Sequence, residues 1–130
     1  MFRIGIIGAG WIAHKMTLAL GYTDEACVYA IASRSEDKAR SFAEEHGIPM
    51  AYGSYEAMLD DPEVDLVYIA TPHSHHFAHA MLALEHGKPV LVEKAFTANA
   101  KAAKILIATA RNKGLFITVA IWTRYMPLSH

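Results

Sequence analysis

The chain has 130 residues, 53% of them hydrophobic, and a formal net charge of −1 at pH 7. This length suits one domain with a substantial core, and 12 scattered Lys and Arg residues argue against nucleic acid or an anionic membrane as partner. The single cysteine, Cys27, excludes an internal disulfide and suits a reducing compartment. Without a membrane-length apolar run or a signal-peptide pattern, we expect a cytoplasmic protein.

Strand and helix patterns alternate along the chain with short connections. The predicted strands are 4–7, 27–32, 49–52, 65–70, 89–92 and 115–121. The predicted helices are 11–20, 36–46, 55–59, 74–85 and 100–111. Ser35, Ser54 and Asn99 are predicted to cap the second, third and fifth of them, and the fourth follows Thr71-Pro72-His73. Strict alternation predicts an α/β fold, a Rossmann-type doubly wound parallel sheet with strand order 3-2-1-4-5-6. Ligands of such sheets bind beyond the carboxyl ends of the strands, where the order reverses.

A glycine turn separates the first strand from the first helix. Gly8 and Gly10, followed by Ala13, form a G-x-G-x-x-A dinucleotide fingerprint. Gly8 permits a tight turn, and Gly10 lets backbone approach a bulky anion at a helix N-terminus. We therefore expect Gly8, Gly10, Trp11 and Ile12 to bind a pyrophosphate. The alternative is a glycine turn without a ligand.

The second strand ends in a basic cluster. An acid that would bind the ribose 2′-hydroxyl of NAD is absent there, since Glu36 and Asp37 come later, in the next helix. Ser33 can donate a hydrogen bond, Arg34 suits a phosphate, and Lys38 is placed to face the same spot. These residues favour NADP over NAD. The alternative is a solvated surface Arg34.

Polar residues also follow the fourth strand. Pro72 fixes the turn, and Thr71 and His73 can reach the ribose and nicotinamide side of the cofactor. The histidines at 73, 75, 76 and 79 also permit a metal site, which we disfavour because the helical pairs lie on different faces with no acid or thiol near. The remaining histidines are predicted to lie at the surface: His14, His46, His86 and His130.

The fifth and sixth strands end in further candidates. Glu93 and Lys94 point to opposite faces, so one of them faces the cleft, where a lysine suits acid/base chemistry. The alternative is a lysine that extends into solvent. Trp122 and Arg124 are predicted to line a cofactor or substrate pocket, the alternative being a core tryptophan and a surface arginine.

Five motifs, in this order and at suitable spacings, resemble the cofactor domain of the Gfo/Idh/MocA oxidoreductases across essentially the whole chain. The motifs are Gly8-Ala9-Gly10-Trp11-Ile12-Ala13, Ala32-Ser33-Arg34-Ser35, Thr71-Pro72-His73-Ser74-His75-His76, Glu93-Lys94-Ala95 and Trp122-Thr123-Arg124-Tyr125. The Ser-Arg pair and the Trp-Thr-Arg segment look most like the dimeric dihydrodiol dehydrogenase and NADP-dependent xylose dehydrogenase branch.

The resemblance implies hydride transfer between a nicotinamide cofactor and a hydroxyl or carbonyl carbon of a sugar or diol. The family's Glu-Lys-Pro motif maps onto Glu93, Lys94 and Ala95, which makes Lys94 the catalytic residue that positions the substrate oxygen. Alanine replaces the proline, so the turn after the lysine is less rigid. The family's Thr-Pro-x-x-x-His pattern maps onto Thr71, Pro72 and His76, near the cofactor.

Family members also carry a second, C-terminal α/β domain that covers the cleft and mediates dimerisation in many of them. We therefore expect residues 1–130 to be the NAD(P)-binding domain of a two-domain oxidoreductase, inactive by itself and a possible homo-oligomer through the missing domain. The alternative function is a non-catalytic dinucleotide-binding sensor or assembly module.

Overall fold

The computed structural model describes residues 2–21, 25–71, 73–93 and 100–120. Within these ranges the strands are β1 (Phe2–Ile7), β2 (Ala26–Ala32), β3 (Met50–Tyr52), β4 (Leu66–Ile69), β5 (Val90–Glu93) and β6 (Ile117–Ala120). The helices are α1 (Trp11–Leu20), α2 (Glu36–His46), α3 (Tyr55–Leu59), α4 (His73–Glu85) and α5 (Ala100–Lys113).

The strands form one parallel sheet in the order β3-β2-β1-β4-β5-β6. The predicted fold class and strand order are therefore confirmed, and the order reverses between β1 and β4. Element boundaries shift slightly: β6 begins two residues later than predicted, because the Leu115 N–H donates to the Ala110 carbonyl at the end of α5. The predicted cap Asn99 lies outside the described residues.

Local signals at the helix ends behave as the sequence indicates. The Ser35 hydroxyl accepts a hydrogen bond from the Lys38 N–H at 3.3 Å, and the Ser54 hydroxyl accepts one from the Ala57 N–H at 3.1 Å. Gly47 ends α2 in the left-handed region at φ +68°. Short-range capping thus fixes where α2 and α3 begin and where α2 ends.

Neighbouring residues of the inner strands pack on opposite faces of the sheet. In β1, Ile6 belongs to the cluster formed with α1 and α2, whereas Ile7 belongs to the cluster formed with α3, α4 and α5. In β4, Tyr68 and Ile69 divide in the same way. Because both faces are covered, these strands have continuous apolar sequences instead of alternating ones.

A β-bulge interrupts the pairing of β1 with β2. Ile4 pairs with Val28 and Gly5 pairs with Ala30, which leaves Tyr29 as an extra residue. Beyond the bulge, the faces of β2 are exchanged relative to a regular strand, since Val28 and Ala30 belong to opposite clusters. Nothing in the local sequence pattern announces this insertion.

Buried Asp61 ties together the loop that precedes β4. Its carboxylate accepts hydrogen bonds from the Tyr52 hydroxyl at 2.7 Å and from the Glu63 N–H at 2.9 Å. The Lys88 ammonium donates to the Asp61 carbonyl at 2.8 Å. Burial by itself raises the pKa of Asp61, but bonds from Tyr52, Glu63 and Tyr29 and the charge of Lys88 outweigh it, so the pKa is lowered. Burial and the Asp61 contact raise the pKa of Tyr52 to about 12.

Some of the large apolar content lies at the surface. Trp11 is 69% exposed, and Phe116 and Leu18 are exposed as well.

Among the described residues, no helix is both long enough and apolar enough to cross a bilayer.

Candidate functional site

The strand register brings the predicted site positions to one edge of the sheet. Ile7 pairs with Ala32 on one side and with Ile69 on the other, and Ile69 pairs with Val92. The next residue of each segment therefore lies at the same carboxyl edge: Gly8, Ser33, Ala70 and Glu93. This edge spans the point between β1 and β4 where the strand order reverses, as ligand sites of open α/β sheets do.

The tight turn predicted at Gly8 is present. Gly8 has φ +103°, and a Cβ at this position would lie 2.9 Å from Thr71 Cγ2 and 3.1 Å from the Ala70 carbonyl carbon. Its N–H donates to the Ala32 carbonyl at 2.8 Å. Gly8 is thus required by the close approach of the β1 and β4 ends, and the structure brings Gly8 and Thr71 together.

The N-terminus of α1 opens onto the same edge. Gly10 is its N-cap, in extended backbone at φ −103°, with no side-chain cap and no acidic residue in the first turn. A Cβ built at Gly10 meets no atom of the described chain within 4 Å. The first N–H groups of a helix have no partner within the helix, and the helix dipole adds partial positive charge. Gly10 therefore leaves room for an anion at a positively polarised helix end.

Trp11 and Ile12 provide the first backbone of α1 beside this opening. The exposed Trp11 indole stacks on the His14 ring, with centroids 5.6 Å apart and planes 25° from parallel. The side chain of Ile12 lies outside the described part of the structure.

Ser33 and Arg34 follow β2 at the edge. Buried Ser33 accepts a hydrogen bond from the Ser35 N–H at 3.2 Å, which leaves its own hydroxyl hydrogen available as a donor. Exposed Arg34 lines a cleft of about 500 Å³ between the start of α3 and α4, together with Tyr55, His79 and, among acids, Glu56 and Glu85.

Lys38 lies on the other side of the β2 end from this cleft. It lines a separate cleft of about 380 Å³ with Ala9 of the glycine turn and with Phe42 and Glu45 of α2. Arg34 and Lys38 thus line two different clefts on the described surface. The basic cluster is therefore spread around the β2 end, with Lys38 next to the glycine turn and Arg34 next to α4.

His79 has a structural role that the sequence pattern did not indicate. Instead of being exposed on α4, His79 is only 7% exposed, its Nδ1 lies 2.8 Å from the Thr71 hydroxyl, and its ring packs edge-on against Tyr55. This contact fixes Thr71 at the end of β4. The helical spacing of the sequence could have indicated this burial, since His79 lies four residues before buried Ala83 and therefore on the same face of α4.

The surface prediction is also wrong for His46. Its side chain is 6% exposed because it packs against Phe42 and lies beside His14, which is itself partly buried. His86 is partly buried and pairs with Asp60 at 3.0 Å.

The remaining predicted site residues fall wholly or in part outside the described structure. His73 is the first residue of α4, and Glu93 is the last residue of β5 and pairs with Ala120. The others outside are Pro72, Lys94, Trp122 and Arg124, together with the side chains of His73, His76 and Glu93.

Comparison with known proteins gives one consistent family. Residues 2–121 match the GFO_IDH_MocA family, described as an oxidoreductase family with an NAD-binding Rossmann fold. The trans-1,2-dihydrobenzene-1,2-diol dehydrogenase of Danio rerio is 42% identical over 129 residues, which cover 98% of this chain and 39% of that protein. The D-xylose 1-dehydrogenase (NADP(+)) of Hypocrea jecorina is 62% identical over 78 residues, which cover 60% of this chain and 20% of that protein.

A solved structure agrees with these relatives. KijD10, a 3-ketoreductase from Actinomadura kijaniata in complex with NADP, superposes with a TM-score of 0.90 and 35% identity over 98% of this chain and 41% of its own. The chain thus spans about two-fifths of the length of the relatives that it matches from end to end. Because the family match covers nearly all 130 residues, the chain belongs to the Gfo/Idh/MocA oxidoreductase family and has its NAD-binding Rossmann fold.

Proposed function

We propose that residues 1–130 are one domain, the cofactor-binding part of an NADP-dependent oxidoreductase that transfers a hydride between nicotinamide and a hydroxyl or carbonyl carbon of a sugar or diol. The observation that carries this proposal is the uncapped N-terminus of α1 at Gly10, open toward an edge that also holds Ser33 and Arg34. The names of the dihydrodiol dehydrogenase, D-xylose dehydrogenase and 3-ketoreductase relatives support the substrate class.

The glycine turn fits the diphosphate of a dinucleotide. Gly8 closes the turn against Thr71, and Gly10 has empty space where any other residue would place a Cβ. The free N–H groups that begin with Trp11 and Ile12 would donate to the diphosphate oxygens, and the helix dipole would favour their charge. No acidic side chain in the first turn opposes that charge.

The end of β2 fits a 2′-phosphate better than a 2′-hydroxyl. Ser33 offers a hydroxyl hydrogen, and Arg34 offers a guanidinium that binds phosphate oxygens in pairs. Lys38 adds a cation beside Ala9, on the side of the glycine turn. A carboxylate, the group that recognises NAD, is absent from positions 33–35.

We assign the remaining site residues to the nicotinamide end of the cofactor, where the hydride is transferred. When bound, the nicotinamide ring donates or accepts the hydride. Thr71, held by His79, would line the ribose side with Pro72, His73 and His76, and Glu93, Trp122 and Arg124 would complete the walls. Lys94 would hold the substrate oxygen and carry its proton, which a positioned side chain accelerates by about 10²–10⁴-fold.

Titration with NADPH and NADH tests the cofactor proposal directly. Arg34→Ala should weaken NADPH binding about 10- to 150-fold, since hydrogen bonds to a charged group contribute about 1.5–3 kcal/mol, and should leave NADH binding nearly unchanged. Arg40→Ala is the matched control, because Arg40 is an exposed arginine paired with Glu36 on α2. Equal affinity of the wild-type chain for both cofactors would refute the roles of Ser33 and Arg34.

A further inference from the structure

Three side chains with metal-ligating atoms meet where α1 packs against the end of α2. They are His14 of α1 and Glu45 and His46 of α2. His14 Nδ1 lies 2.9 Å from His46 Nε2. A Glu45 carboxylate oxygen lies 3.9 Å from the first nitrogen and 3.7 Å from the second. The three ligand atoms thus form a small triangle with two imidazole nitrogens and one carboxylate oxygen.

The size of this triangle suits one transition-metal ion. With zinc–nitrogen distances of about 2.0–2.1 Å, two nitrogens on the same ion lie about 2.9 Å apart at a right angle and about 3.3 Å apart at the tetrahedral angle. The observed separation of 2.9 Å therefore needs an opening of about 0.4 Å at most, together with a turn of both rings so that their facing lone pairs converge on the ion. The carboxylate must approach by a similar amount.

The surrounding residues hold the two rings in place and leave the third ligand adjustable. His46 is nearly buried against Phe42, with ring centroids 4.5 Å apart, and His14 is stacked under Trp11. Glu45 is 65% exposed and lines the cleft shared with Lys38, so it is reachable from solvent and free to change rotamer. Two packed rings that need only small shifts, with one mobile carboxylate, make a site that an ion can enter.

We propose that this cluster binds one divalent transition-metal ion, with Zn²⁺ the best match, through His14 Nδ1, His46 Nε2 and a Glu45 carboxylate oxygen. A set of two histidines and one glutamate leaves a fourth position for water. In the metal-free pair, one of the two facing nitrogens carries the hydrogen of their hydrogen bond. On metal binding, that ring carries its hydrogen on its other nitrogen, so each of the two facing nitrogens offers a lone pair to the ion. The bound ion links α1 to α2 behind the glycine turn.

The test is calorimetric titration of the 130-residue chain with Zn²⁺ alone. We expect one tight site per chain, lost or weakened about tenfold or more in His14→Ala and in Glu45→Gln, because even an outer-shell partner of a ligand contributes about 10- to 100-fold to metal affinity. His86→Ala is the matched control, since His86 also pairs with a carboxylate, that of Asp60, at 3.0 Å. This control should bind Zn²⁺ as the wild type does.

Glu45→Gln keeps the experiment decisive if His14→Ala does not fold, because Glu45 is mostly exposed and its replacement preserves shape. Thermal unfolding gives a second readout: Zn²⁺ should raise the melting temperature of the wild type and of His86→Ala, and raise that of Glu45→Gln less. Absence of Zn²⁺ binding, or binding unchanged in Glu45→Gln and His14→Ala, would overturn the proposal and leave the two rings as a hydrogen-bonded pair. Loss of Zn²⁺ binding in His75→Ala with Glu45→Gln unaffected would do so as well.

Discussion

Replacement of Gly10 by alanine should separate cofactor binding from folding. Gly10 lies in extended backbone that alanine adopts, and the added Cβ meets no described atom within 4 Å. Alanine is a poorer N-cap than glycine by about 0.5–1 kcal/mol, whereas the reduced freedom of the unfolded chain contributes about 0.4–1 kcal/mol in favour of folding. The two effects nearly cancel, so the free energy of unfolding should stay within about 1 kcal/mol of wild type.

The same methyl group should obstruct the dinucleotide, because it occupies the space through which the diphosphate would approach the start of α1. Overpacking of about 1–3 kcal/mol corresponds to about a 5- to 150-fold weaker binding of NADPH. Gly10→Ala should therefore have normal stability and impaired cofactor affinity.

Gly8→Ala is the matched comparison with the opposite expectation. At φ +103° the substituted residue is strained by about 1–3 kcal/mol. Its Cβ would also lie 2.9 Å from Thr71 Cγ2 and 3.1 Å from Ala70 backbone, which adds about 1–3 kcal/mol of overpacking. Together these costs lower the free energy of unfolding by about 2–6 kcal/mol.

Urea denaturation and fluorescence titration with NADPH measure both quantities on the same samples. Two results would contradict these roles of the glycines: NADPH binding by Gly10→Ala equal to that of the wild type, or easier unfolding of Gly10→Ala than of Gly8→Ala. The first result would remove the diphosphate from the glycine turn, and the second would show that the contacts around Gly8 do not govern the stability of the turn.

Further predictions concern the buried carboxylate of Asp61 and Lys94, the lysine proposed to be catalytic. Tyr52→Phe removes the 2.7 Å hydrogen bond to Asp61 and should lower the free energy of unfolding by about 1.5–3 kcal/mol in urea denaturation. The control is Tyr55→Phe, because the Tyr55 hydroxyl has no hydrogen bond to the described residues; this change should alter the free energy of unfolding by less than about 0.5 kcal/mol. Equal losses in both variants would contradict the role of the Tyr52–Asp61 hydrogen bond. Because the pKa of Asp61 is lowered by folding, its contribution to stability should be complete above about pH 4 and lost as the pH falls further, as acid titration of unfolding can show. Because folding raises the pKa of Tyr52 to about 12, wild-type stability should also decline from about pH 10 to about pH 12. Tyr52→Phe should make this decline smaller but not abolish it, because the pKa of Tyr29 is raised as well. In the complete enzyme, Lys94→Ala should reduce kcat by about 100-fold or more with an unchanged Kd for NADPH, whereas a dinucleotide sensor would have no turnover to lose.

Much of the fold could be predicted because its signals are local. The Ser35 and Ser54 caps act within three residues, and Gly47 ends α2 through its own backbone conformation. The strand order followed from the alternation of strands and helices together with the fixed handedness of parallel crossovers. Placement of Gly8, Ser33 and Thr71 at one edge then follows, since parallel strands present their carboxyl ends together.

Other features depend on which residues meet across the fold. Three polar residues are buried because each meets a partner at least 8 positions away in the sequence. The pairs are Asp61 with Tyr52, His79 with Thr71 and His46 with His14. A polar residue that looks exposed in sequence is stable inside when such a partner satisfies it.

The sequence by itself determined the parallel sheet, its strand order and the chemical character of the cofactor edge, because these follow from short-range periodicity, caps and the ends of strands. Only the tertiary structure decided that Arg34 and Lys38 line different clefts, that β2 bulges at Tyr29, and that His14 meets His46. Those outcomes depend on how whole helices pack across the sheet, where the position of a side chain is set by many distant contacts at once.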